Sequence, residues 1–212
     1  MIQSRLSILM AERGLKISEL YEETGISKTT LMAIAENSGK GVQFETVDKL
    51  CNYLGVTPCE FFDYSPYLVE MDLIESDFYN DQLKDFNIKI RNQNYEKDFM
   101  LRTAIQNGDS YDIPVRTGEF DYYISVYLEG SDHYTDKEFF NFLSNMSISF
   151  RTEFIKNLIS NIKNQLKNLV KNKVSVQLMG EMELTTLNEN GYIALKLFED
   201  SEFETLKKLH IK

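Results

Sequence analysis

The sequence predicts an all-α unit of five short helices over residues 1–64, a linker at 65–68, and an α+β unit over residues 69–212. The second unit is expected to combine an antiparallel sheet with a long amphipathic helix. Three observations carry this reading. Apolar residues recur with a helical period in the first stretch and with a period of two soon after Ser65-Pro66. Glycines at positions 14, 25 and 55 punctuate the first stretch where helices should stop. Residues 149–172 carry an apolar stripe too long for a strand.

In the first unit, Leu6, Leu9 and Met10 share one helical face that ends at Arg13-Gly14. Leu20 lies on a second segment that stops at Gly25. Ser27 opens a third, with Leu31 and Ile34 inward, and Ser38-Gly39-Lys40-Gly41 is a loop. Val47, Leu50 and Leu54 carry a fourth helix, closed by Gly55. Thr57-Pro58-Cys59-Glu60 combines a capping box with proline at the first helical position, so a fifth helix begins there with Phe61 and Phe62 as its apolar content.

Beyond the linker, Val69, Met71 and Leu73 alternate with Glu70 and Asp72, and Phe86, Ile88 and Ile90 alternate with polar residues. Phe120, Tyr122, Ile124, Val126 and Leu128 repeat the pattern, with Asn107-Gly108 as a turn signal inside the run. Thr135-Asp136-Lys137-Glu138 caps a helix bearing Phe139, Phe140 and Phe142. The long helix places Ile155, Leu158, Ile159, Ile162, Leu166, Leu169 and Val170 on one side. Alternation returns at Val174, Val176 and Leu178, and at Ile193, Leu195 and Leu197. Ser201 to Glu204 reads as the cap of a last helix.

Composition narrows the function classes. With 42 % hydrophobic and 26 % charged residues the chain is neither disordered nor fibrous. No apolar run is long enough for a membrane span, no secretory leader is visible, and two cysteines, Cys51 and Cys59, fit a reduced compartment. A cytoplasmic protein is expected. Net charge is −10, with 6 basic against 9 acidic residues up to position 64. Any nucleic-acid binding must therefore come from a local patch, because the summed field repels phosphate.

The most informative stretch runs from Ile17 to Glu36. A short helix, a glycine turn, a serine cap and a second helix opening with Lys28-Thr29-Thr30 form a helix-turn-helix layout. Gly25 allows the tight turn, and Leu20, Ile26, Leu31 and Ile34 lock the two helices together. The second helix can then enter a major groove about 12 Å wide.

The surroundings match as well: Arg5-Leu6, Met10 to Leu15, Ser18-Glu19-Leu20, Thr24 to Leu31, Thr46 to Leu50, and Leu54-Gly55-Val56. On these residues the stretch 1–64 resembles the Cro and phage-repressor, or XRE, helix-turn-helix family. The resemblance implies an all-α five-helix helix-turn-helix domain with its recognition helix at residues 28–36. It implies base-reading positions at Lys28, Thr29, Met32 and Ala33. Phosphate-gripping or positioning roles fall on Ser18, Ser27, Thr30, Asn37, Lys40 and Gln43. Lys16, Ile17 and Tyr21 depart from the family's usual threonine or serine, glutamine and small residue.

Other candidates have plainer readings. Arg151, Lys156, Lys163, Lys167, Lys171 and Lys173 face only Glu153 and make the long helix locally basic. The expected role is a solvated face, with a second nucleic-acid surface or a dimer seam as the alternative. Residues 65–133 hold 14 acids and 6 bases among tyrosines such as Tyr122, Tyr123 and Tyr127, which suits the polar face of a sheet, with an acidic protein-binding or DNA-mimicking surface as the alternative. His133 and His210 are isolated, Gly39-Lys40-Gly41 lacks phosphate-loop spacing, and Asp81 with Asp85 carries no signal in an acidic chain. No enzyme, cofactor or metal is expected.

The expectation is a sequence-specific DNA-binding transcription regulator, a repressor or autorepressor, whose second unit forms a homodimer. Its partner is double-stranded DNA, with no membrane. The alternative is a bifunctional protein of a phage or mobile element. In that case the acidic second unit binds and inhibits a protein partner, such as a defence nuclease, while the first unit controls expression.

Overall fold

The computed structural model describes residues 1–75, 83–110, 115, 118–170 and 173–211. The chain divides into two compact units, Met1–Pro66 with Met146–Thr152, and Tyr67–Asn145 with Glu153–Lys212.

The first unit opens with a short strand, β1 (Ile2–Ser4), followed by α1 (Leu6–Arg13), α2 (Ile17–Thr24), α3 (Lys28–Ala35) and α4 (Phe44–Leu54). A single helical turn, α5 (Pro58–Phe61), runs into β2 (Phe62–Tyr64). Four helices therefore lie within the first 55 residues, and the fifth expected helix is one turn long. Helices α1, α2 and α4 end on glycines in the left-handed conformation, Gly14, Gly25 and Gly55 at φ 64°, 69° and 65°, where a side chain would be strained. The capping box at α5 is formed: Glu60 N–H donates to Thr57 Oγ1 and Thr57 N–H to Glu60 Oε2.

Leu6, Leu20, Leu31, Leu50 and Phe61 are fully buried in one core with Leu9, Met10, Ile26, Val47, Cys51 and Leu54. Each such side chain contributes about 1.5–3 kcal/mol by leaving water. Strand β1 pairs antiparallel with β2, Gln3 opposite Asp63. A three-residue strand is too short to show a period, and so the sequence carried no sign of this ribbon.

The second unit contains β3 (Leu68–Ile74), β4 (Asp85–Arg91), β5 (Glu96–Asn107), β6 (Tyr122–Leu128), α6 (Asp136–Asn145) and α7 (Ile148–Leu169). It ends with β7 (Lys173–Leu178), β8 (Glu181–Thr186), β9 (Tyr192–Leu197) and β10 (Thr205–His210). Strand order is β10-β9-β6-β5-β4-β3, with β7 joined to β5 at Gln106–Gln177 and β8 to β7.

Two expectations are corrected. The sheet is mixed rather than antiparallel, because β9 runs parallel to β6. The chain between them passes through α6, α7 and the β7–β8 hairpin, long enough for the crossover that parallel neighbours require. The last helix is a strand, β10, paired antiparallel with β9. The Ser201 and Glu204 side chains build a turn instead: Ser201 Oγ accepts from Phe203 N–H, and Glu204 accepts from Asp200 N–H. The same side chains cap turns and helices alike, so the local signal was ambiguous.

One sheet face is apolar, with Phe86, Ile88, Leu101, Ile124 and Leu195 fully buried. Phe139 of α6 packs its ring 5.3 Å from Phe99 on that face. Helix α7 buries Leu158, Ile162 and Leu166, and its Gln165 accepts from Lys84 N–H at 2.7 Å. The opposite face carries the Arg102 guanidinium, held by Asp85 and Glu129 at 2.7 Å each. Asp81 and Lys171 lie outside the described residues.

Candidate nucleic-acid interface

Helices α2 and α3 are joined by Gly25-Ile26-Ser27. Ile26 is buried and Leu20 and Leu31 are fully so, which fixes one helix against the other. Ser27 starts α3 by accepting from Thr30 N–H at 3.2 Å, and its hydroxyl shares a second bond with Thr30 Oγ1 at 2.8 Å. The Ser27 and Thr30 side chains are thus committed to holding the helix start, with both residues exposed. Lys16, which flanks the start of α2, has no side-chain acceptor to cap the helix. Glu19 supplies half of a cap instead, its carboxylate accepting from Lys16 N–H at 2.7 Å.

From this start, α3 presents Lys28 and Thr29 exposed and Met32 49 % exposed. Ala33 is half-buried. It lines a groove of about 550 Å³ with Thr30, Asn37, Lys40, Val42 and Ile2. Three of the four positions expected to read bases are thus exposed and the fourth is half-buried. Lys28 and Met32 lie one turn apart on α3, as do Thr29 and Ala33, and Ala33 also lines the groove.

Asn37 is exposed, yet its amide is engaged. Ser4 N–H donates to Asn37 Oδ1 at 2.7 Å, and Asn37 Nδ2 donates to Ser4 O at 3.2 Å. Lys40 and Gln43 are exposed on the connection to α4, Gln43 as its N-terminal flanking residue without a side-chain cap bond. Ser18 is half-buried in the first turn of α2.

Two residues join this surface that sequence reasoning did not assign to it. Tyr21, 45 % exposed on α2, lies under the Lys28 ammonium with 5.3 Å from nitrogen to ring centroid. That attraction orders a long cation on the surface. Glu36, exposed at the end of α3, shares the face of Lys28 and Met32 through four-residue spacing, which was the available signal. A carboxylate there carries negative charge and can only accept hydrogen bonds when ionised.

A protruding, capped helix with donors on its outer face and a buried inner face, set by a glycine turn against its partner helix, is a major-groove reader's geometry. Residues 5–67 match the Cro/C1-type HTH DNA-binding domain. The match covers the stretch on which the resemblance was read and supports a DNA-binding transcription regulator in general terms. The matched segment spans α1 to α5 and β2, and the region beyond it has no family match. No curated protein and no solved structure matches the chain. Among the described residues no helix is long and apolar enough to cross a membrane, and no cluster of His, Cys, Asp or Glu is arranged to hold a metal ion.

Proposed function

We propose that the chain is a cytoplasmic, sequence-specific transcription regulator, a repressor or autorepressor, that binds duplex DNA as a dimer through the helix at 28–36. The observation that carries this is the division of α3 within the Cro/C1-type segment: Lys28, Thr29 and Met32 face outward while Leu31 is fully buried. Lys28 donates to guanine O6 or N7, Thr29 bonds a base or packs on a thymine methyl, and Met32 adds apolar contact. The reading includes no catalytic step.

Three base-facing side chains on an acidic protein discriminate weakly alone. Two copies about one helical turn apart (~34 Å) combine their contacts and select a near-palindromic site. Pairing is assigned to the second unit, where the β7–β8 hairpin exposes Met179, Met182 and Leu184. Among the described residues, β8 pairs only with β7, so one edge remains open to a second copy.

The same hairpin supports the second reading. Glu181 and Glu183 alternate with those apolar residues, a mix suited to a protein partner such as a defence nuclease. Sedimentation separates the two, since a dimer at micromolar concentration favours the regulator and a monomer favours the partner-binding protein.

The main test is selection of bound genomic fragments with the full chain beside a Lys28→Ala/Thr29→Ala variant. A near-palindrome enriched by the wild type and lost in the folded variant is the expected result. No enrichment by the folded wild-type chain would overturn the reading.

A further inference from the structure

Helix α7 carries a feature that the recognition helix does not explain. Lys156, Lys163 and Lys167 are exposed on it, with Asn157, Ser160 and Asn164 between them. Their spacings of seven and four residues put the three ammonium groups within about 40° of one another around the helix. Along the axis they are separated by roughly 10 Å and 6 Å. This is one straight stripe.

Its surroundings are unusual for this chain. Acids outnumber bases 33 to 23, yet residues 154–180 contain no aspartate or glutamate. Several other cations are matched: Lys49, Lys84, Lys89, Lys97, Arg102 and Lys196 each hold a carboxylate within 4.0 Å. Among the described residues Lys156, Lys163 and Lys167 form no ion pair. A stripe left positive in an acidic protein acts on whatever comes within a Debye length, about 8 Å at physiological salt.

We infer that this stripe is a second nucleic-acid surface that lies along the phosphate backbone of duplex DNA without reading its sequence. The composition of the face selects nucleic acid over a protein. Protein interfaces need apolar or aromatic anchors at their centre and are poor in lysine. The only large hydrophobic exposed on the described part of α7 is Ile148, at its first residue. Lysine, asparagine and serine side chains are instead the donors that meet phosphate oxygens. The inference rests on the proposed function only for its choice of duplex DNA as the polyanion.

Binding of the full chain to a labelled mixed-sequence duplex, titrated over a range of salt, tests it. The comparison is with Lys156→Gln/Lys163→Gln/Lys167→Gln, with the triple arginine replacement, and with Lys28→Ala/Thr29→Ala. Each neutralised phosphate contributes about 0.9 to the log–log salt slope, so the glutamine variant should lose roughly two to three from that slope. It should weaken on all sequences alike, keep the wild-type melting temperature and select the same genomic fragments. The arginine variant should restore the slope. A glutamine variant with wild-type slope and affinity would overturn the inference while leaving the recognition helix untouched. So would a drop in oligomeric state at unchanged slope, which would assign the stripe to contact between copies. Lysine-dependent binding by a wild-type chain that selects no sequence would support the stripe and reject the regulator.

Discussion

Ser4 and Asn37 hold each other by two hydrogen bonds of opposite sense, Ser4 N–H to Asn37 Oδ1 and Asn37 Nδ2 to Ser4 O. The side-chain amide thereby acts as a one-residue strand against the end of β1, and Ser4 Oγ donates onward to Ile34 O at 2.6 Å. Asn37 also sits at φ 53°, where asparagine is tolerated better than most residues. A residue placed by resemblance among the phosphate contacts is thus a tie between β1 and the end of α3.

Asn37→Ala should therefore cost about 2 kcal/mol by chemical denaturation, since it strands part-buried backbone groups and strains the left-handed position. Asn37→Gly should recover the backbone part only. If both variants keep full stability and lose DNA affinity, the residue grips phosphate after all.

Lys28→Ala should lower affinity for the selected site about ten- to a hundredfold, the effect of one good base contact, with stability within roughly 0.5 kcal/mol. Tyr21→Leu removes only the ring beneath the ammonium and should cost a few-fold. Fluorescence anisotropy on the selected duplex reads both.

The Asp85–Arg102 pair should behave as a buried one. Asp85 is fully buried and its second oxygen accepts from Thr103 N–H at 2.8 Å. Burial works against the Arg102 charge, but hydrogen bonds with Asp85 and Glu129 outweigh it and hold the guanidinium above its ordinary pKa. Asp85→Asn should destabilise by about 3–5 kcal/mol. Glu129→Gln, at a carboxylate 31 % exposed, should cost about 1 kcal/mol or less. Equal losses from the two variants would contradict this ordering.

Tyr123, 3 % exposed, has no hydrogen-bond partner for its hydroxyl among the described residues. Burial, with Glu199 and Glu204 nearby, pushes the phenol up to about 12 from 10.0. The neutral phenol is the form the folded state favours. Its contribution is full below the unfolded pKa near 10 and is lost as pH rises toward 12. Tyr123→Phe should match or exceed wild-type stability at neutral pH and flatten the alkaline decline, as read by melting temperature against pH. A loss of stability at neutral pH would reveal a hydrogen bond to that hydroxyl.

Much of the fold was legible because local rules and tertiary needs agreed. Gly14, Gly25 and Gly55 close helices as their sequence context suggests, and Thr57 with Glu60 caps the turn it was read to cap. The alternation of Phe86, Ile88 and Ile90 marks a strand whose apolar side is fully buried. Where several contexts accept one motif, the reading failed. Ser201 and Glu204 bend a chain between two strands as well as they would start a helix. Strand direction is equally hidden, since alternation looks the same in parallel and antiparallel neighbours.

The sequence by itself determined where α1, α2 and α4 end, which faces of β4 and α7 are apolar, and that a serine-capped helix follows a glycine turn in the Cro/C1-type segment. These are decided by neighbours in the chain, whose geometry is covalent. Only the tertiary structure decided that β9 lies parallel to β6, that Ala33 faces a groove while Met32 faces outward, and that Asn37 is held by Ser4. It also decided that, among the described residues, Lys156, Lys163 and Lys167 form no ion pair. Each depends on pairs distant in sequence, and whether two such groups meet is set by how the whole core packs.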